Sequence, residues 1–155
     1  MFKEMRRKEK QLADLDAIKI INEGQLGNLA ILGANGYPYS VPLNYAYKNG
    51  AIYFHSARAG NKLENIRFHN KVCFSIVNYY RLIPDKFDTE YDSVVIYGKA
   101  AEVIDKQEKK DALILLVEKY SNEYRPQGLA YIEKSIEATA VFKINIEHMT
   151  GKLGR

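Results

Sequence analysis

"GNLAILGANGYPYSVPLNYAYKNGAIYFHS", residues 27–56, decides the fold. It holds two Asn-Gly pairs, Asn35-Gly36 and Asn49-Gly50, each between hydrophobic runs. Both residue types tolerate positive φ, as the tight turn of a β-hairpin requires, so the pair is a strong short-range hairpin signal. Three strands follow in a meander, over residues 27–33, 38–48 and 51–56. The middle one alternates. Tyr39, Val41, Leu43, Tyr45 and Tyr47 share one face, and Ser40, Pro42, Asn44 and Ala46 share the other. Pro42 has no N–H to give a ladder, which marks an edge or a bulge. The second face is small and polar and leaves room beside the backbone.

The same alternation continues outward. "KVCFSIVNYY" (71–80) reads as a fourth strand, residues 80–90 as a loop, and "YDSVVIYGKAAEVI" (91–104) as a long fifth strand, interrupted by Gly98 as at a barrel corner. "ATAVFKINI" (138–146) closes the series with Ala140, Phe142, Ile144 and Ile146 on one face. Helical spacing occurs in three places. Leu15, Ile18 and Ile21 predict a first helix, with Asp14 as its cap and Gly24 at its end. Asp105 and Glu108 form a capping box for a second, with Leu113, Leu116, Val117 and Tyr120 on one face. A short segment at 127–135 is a third candidate. Residues 1–155 thus read as one mainly β (α+β) domain, a six-stranded antiparallel barrel with peripheral helices.

Composition narrows the function classes. At 46% hydrophobic and 27% charged, the chain is an ordinary folded protein. No apolar run reaches the roughly 18 residues of a membrane span, and the charged start is no secretory signal, so a cytoplasmic protein is expected. The net charge of +4 is spread among mixed signs, with one small cluster at Arg6, Arg7, Lys8 and Lys10. That suits a solvated basic surface better than a nucleic-acid site. Cys73 is the single cysteine and lies in an apolar strand, as inert core. His55, His69 and His148 match no zinc spacing. Glycine-rich nucleotide loops and nucleophile elbows are absent.

One stretch carries chemistry. In "HSARAGNKLENIRFH" (55–69), Asn61 with Glu64 fits a capping box and sets Lys62 at the first helical position. A cation there opposes the helix dipole by roughly 0.3–1 kcal/mol. A bound anion would offset that cost, because free backbone N–H groups, the Ser56 hydroxyl and the Lys62 ammonium can converge on it. Small residues at 57, 59 and 60 let it approach the backbone. The expectation is a phosphate site; an ordinary strand-to-helix turn with a solvated lysine is the alternative.

The residues "GYPYSVPLNYAYKNGAIYFHSARAGNKLENIRFHNKVCFSI", with "MRRKEKQL" before them and "YDSVVIYGKA" after, resemble the pyridoxamine 5′-phosphate oxidase-like split barrels. They are most similar to the Nim-type branch, associated with 5-nitroimidazole resistance. The resemblance spans nearly the whole chain. It implies a six-stranded split barrel, a homodimer, and FMN in a groove between the subunits. It puts the FMN phosphate near Lys62 and the strand end His55–Ser56, and the ring and ribityl chain along Pro42, Leu43 and Asn44. Ser93 and Val94 would line the same groove. The implied activity is FMN-dependent reduction of small nitroaromatic or nitroimidazole-like substrates. The alternatives are a non-catalytic flavin or haem carrier, with His55, His69 or His148 as a ligand, and pyridoxamine-phosphate oxidation. "HSARAGNK" and the ending "MTGKLGR" depart from the phosphate segment and arginine-rich C-terminus of true pyridoxamine-phosphate oxidases, which argues against vitamin B6 as the substrate.

Overall fold

The computed structural model describes residues 1–154. Both hairpins form. At the second turn Asn49 and Gly50 take φ of 48° and 77°, as a two-residue turn demands. At the first, only Gly36 is left-handed, at 86°. Asn35 instead accepts the Tyr37 N–H on its side chain (3.0 Å).

Among the described residues there are eight strands rather than six: β1 (Gln11–Leu12), β2 (Gly27–Leu32), β3 (Pro38–Leu43), β4 (Ala46–Lys48), β5 (Ala51–Ala57), β6 (Lys71–Ile83), β7 (Asp88–Glu102) and β8 (Thr139–Leu153). They form one antiparallel sheet in the order β3-β2-β6-β7-β8-β5-β4, with β1 on β8. One of the two extra strands is β1; the other comes from the strand expected at 38–48, which is broken at Asn44 and Tyr45 into β3 and β4. These halves are the two ends of the hydrogen-bonded path. The sheet therefore does not close by pairing; the chain itself crosses the seam, as in a split barrel.

A single core explains the curl. Leu29, Phe54, Phe74, Ile96 and Phe142, one from each of five strands, are fully buried in one cluster. Residues from helices α1 (Asp14–Glu23) and α2 (Asn61–Phe68) join that cluster. The other helices, α3 (Lys106–Tyr120) and α4 (Arg125–Ser135), cover the outside of β4, β5 and β8 around a second cluster that contains Ala46, Val141, Leu116 and Ile132. Gly98 marks the bend: the β7–β8 register shifts between Tyr97 and Gly98. A Cβ on Gly98 would meet the Asn145 carbonyl oxygen at 2.2 Å, so no side chain fits.

Several expectations change. Residues 80–90 are no simple loop; β6 and β7 continue as a paired arm to Ile83 and Asp88. α1 buries Ala17, Ile20 and Ile21 while Leu15 is 81% exposed, so its inward face is rotated from the one expected. Ala13, not Asp14, stands at its N-cap. Asp105 does cap α3, accepting the Glu108 N–H at 2.8 Å. The Glu108 carboxylate does not return that bond; it takes the Tyr53 hydroxyl (2.8 Å) and Lys143 (3.0 Å) instead. Cys73 is not core: it is half-buried on the outer face, where burial raises its thiol pKa.

Candidate functional site

The seam is built from backbone that has lost its ladder. Between β3 and β4 the Tyr45 N–H has no strand partner, and the hydroxyl of Tyr120 on α3 accepts it at 3.0 Å. The same hydroxyl donates to the Gln25 carbonyl at 2.7 Å, and the Asn44 amide donates to that carbonyl at 3.1 Å. One phenol thus substitutes for the missing strand pairing. Tyr120 was legible in the sequence only as one residue of a helix face; its polar end is what the seam uses. Beside it the Lys119 ammonium lies 3.7 Å from the centroid of the buried Tyr45 ring and has no hydrogen-bond partner. Burial lowers its pKa to about 8.

Next to the seam is a cleft of about 290 Å³ between β5, β8 and the two outer helices. Asn44 and His55 stand on one side, Leu116, Tyr120 and Tyr131 on the other. Apolar walls with a few polar groups are the usual make-up of a small-molecule site. His55 lies one residue before Ser56 at the end of β5. Desolvation in the cleft, and then the charge of Lys62, lower its imidazole pKa, so it is neutral at neutral pH. Lys62 is thus near enough for its charge to reach the cleft.

The turn between β5 and α2 differs from the expected capping box. Gly60, not Asn61, is the N-cap, at φ 130° and ψ 177°, and no side chain caps the helix. Asn61 is therefore the first helical residue and Lys62 the second. Gly60 has no atom within 4 Å of where its Cβ would stand, so the space over the turn is open. The Ser56 hydroxyl donates to the Ala57 carbonyl at 2.9 Å, and Arg58 donates to the Glu137 carbonyl at 2.7 Å. An uncapped helix N-terminus, a lysine and a clear approach fit a phosphate group.

The remaining site residues divide. Pro42 is exposed on the outer face of β3, an edge strand, while Leu43 turns inward against the core. Val94 is fully buried in the core and its side chain reaches no groove. Ser93 is half-buried on the outer face of β7, opposite Val77 and Lys152. Three strand spacings, on the order of 14 Å, separate β7 from β3 along the sheet. The fold thus gathers Asn44, His55 and Lys62 and leaves Ser93 apart. Between them the outer face carries exposed apolar side chains, Leu26 and Val77, that continue onto the arm as Tyr80 and Leu82. A larger groove of about 500 Å³, beside Cys73 and Tyr97, contains none of the expected residues. Phe2 lies at it, stacked on His148 with centroids 4.6 Å apart.

The sequence pattern of the family described as pyridoxamine 5′-phosphate oxidase matches residues 14–153. Among solved structures, the chain is similar to a proposed 5-nitroimidazole antibiotic resistance protein from Bacteroides thetaiotaomicron, at 25% identity and a TM-score of 0.76 over 92% of this chain and 85% of that one. It shares its fold with an FAD-binding protein from Mesorhizobium loti (23% identity, TM-score 0.65, covering 92% and 95%). It shares it also with an FAD and heme binding protein from Mycobacterium smegmatis (16% identity, TM-score 0.80, covering 94% and 74%). No curated protein matches the chain.

Proposed function

This chain belongs to the pyridoxamine 5′-phosphate oxidase family, and from that premise we infer that it is an FMN-dependent reductase of small nitroaromatic substrates, working as a homodimer. The likeness to the Bacteroides protein supports the Nim-type branch and the nitro substrate class. The observation that carries the flavin is the turn at residues 57–62: an α2 N-terminus without a side-chain cap, open space over Gly60, and Lys62 beside it. Backbone N–H groups and one ammonium make that turn selective for a phosphate. Asn44 and Pro42 orient the ring from the seam, and His55, neutral, offers a hydrogen bond without adding charge. When bound, FMN supplies the hydride. The apolar outer face at Leu26 and Val77 supports a second copy as the cover of this groove, and a second copy is also what would carry Ser93 to it.

Titration of the protein with FMN, FAD and riboflavin tests this. FMN is expected to bind tightest. Lys62→Ala removes a charge-assisted contact of roughly 1.5–3 kcal/mol. FMN affinity should fall about 10- to 150-fold while riboflavin affinity holds. Equal loss for both flavins would remove the phosphate from the turn. Wild-type protein that binds no flavin would overturn the function as a whole.

A further inference from the structure

Two stretches of the sequence take no part in the cleft at the seam: the basic run at residues 6–10 and the described part of the tail, residues 149–154. The fold brings them together at Tyr91. β1 pairs with the end of β8, Gln11 opposite Lys152 and Leu12 opposite Gly151, which carries the basic run to the base of the β6–β7 arm. The Gly154 N–H donates to the Tyr91 carbonyl at 2.7 Å. A Cβ on Gly154 would stand 2.7 Å from that oxygen and 3.2 Å from the ring, so a side chain there would displace the tail. Lys152 donates to the Tyr91 phenol oxygen, its Nζ 4.8 Å from the ring centroid. Arg7 and Lys10 add positive charge around the phenol; Glu9 pairs with Arg7 at 2.5 Å, and Asp88 faces Arg7 as well.

This arrangement leaves Tyr91 with its oxygen already accepting from an ammonium and its O–H available to a ligand. The Lys152 hydrogen bond lowers the phenol pKa; burial opposes it, and the charges of Lys152, Lys10 and Arg7 add to the lowering. Tyr91 also shares the outer face of β7 with Ser93, two residues or about 7 Å along the strand. His55, on the seam side, is neutral at neutral pH, so the cleft contains no strong acid.

We propose that Tyr91 is the proton donor of the reduction, delivered by the second copy together with Ser93, and that Lys152 is its positioning residue. The inference rests on the shared flavin groove described above. The acceptor nitro group takes a hydride from reduced flavin and a proton from Tyr91: R–NO₂ + H⁻ + H⁺ → R–NO + H₂O. The Tyr91 O–H bond and one N–O bond break, and the oxygen leaves as water. Lys152 stabilises the phenolate left behind, which regains its proton from solvent.

Tyr91→Phe, Lys152→Met and Lys152→Arg in the full chain test this in two ways. In the flavin-free protein labelled at the tyrosine ring carbons, the resonance lost in Tyr91→Phe identifies Tyr91. Its titration should fall below that of an ordinary tyrosine, rise in Lys152→Met and stay low in Lys152→Arg. In the flavin-loaded, pre-reduced protein, reoxidation by p-nitrobenzoate should slow about 100-fold in Tyr91→Phe with flavin affinity unchanged. The basic limb of its pH profile should move up in Lys152→Met and be restored in Lys152→Arg. Wild-type reoxidation by Tyr91→Phe, or ordinary titration of Tyr91, would overturn the donor while leaving flavin binding intact. Failure of the wild-type protein to bind flavin would overturn the groove first and the donor with it.

Discussion

At the scale of single residues, the informative groups are those whose polar ends lack ordinary partners. Lys119 holds an ammonium against the Tyr45 ring with no hydrogen bond to it. The cation–π contact offsets only part of the desolvation. With its pKa lowered to about 8, the folded chain gives up this proton before the unfolded chain does. Below pH 8 both states are charged and the burial cost is present in full. Between about 8 and the ordinary 10.5, the unfolded state holds more protons, so stability rises with pH. Lys119→Met should therefore raise the melting temperature at pH 7 by about 2–4 °C, for about 1 kcal/mol after allowance for solvent screening. It should also remove the rise seen in the wild type between pH 8 and 10.5. Melting curves of both proteins across that range decide it; parallel curves would mean the ammonium is hydrated. Val94 teaches a different point at this scale. Its strand and its neighbours in sequence match the family pattern, yet strand alternation turns it into the core while Ser93 faces out.

At the scale of elements, α2 shows how a local rule can be out by one residue. Asn61 and Glu64 have the spacing of a capping box, but Gly60 already occupies the cap with a backbone conformation open chiefly to glycine. A free N-terminus results where a capped one was expected. Gly60→Ala places no atom against a neighbour, so its whole effect is backbone strain of about 1–3 kcal/mol. The expected outcome is a lower denaturant midpoint together with weaker FMN binding, since relaxing the turn moves the α2 N-terminus. An unchanged midpoint would show that the turn adopts another conformation. The β6–β7 arm is the converse case. Residues 80–90 carry Pro84, Asp85 and Asp88, which resemble loop composition, yet Tyr79 to Ile83 pair with Asp88 to Asp92. The cross-strand ladder outweighs the turn residues, which are confined to the tip.

At the scale of the whole molecule, the outer face of the sheet carries the next test. Val77 is 55% exposed and Leu82 58%, on a face that a monomer would leave in water. Light scattering should give twice the chain mass at micromolar concentration, and Val77→Lys with Leu82→Lys should give the single-chain mass and lose FMN. A monomeric wild type that still binds FMN tightly would refute the shared groove. Residues 27–56 by themselves determined the two hairpins and the antiparallel pairing within each, and narrowed Pro42 to an edge or a bulge. Those features depend on φ preferences and on a two-residue period, which are local. The strand-to-helix turn before Lys62 was visible for the same reason, with its cap out by one residue. What tertiary structure alone decided is the seam at Asn44 and Tyr45, where unbroken alternation gave no sign that one strand becomes two. It decided the Tyr120 hydroxyl that satisfies the broken backbone from 75 residues away, and the meeting of both chain ends at Tyr91. These rest on contacts between residues distant in sequence, and no local period or propensity encodes which distant group will supply a missing hydrogen bond.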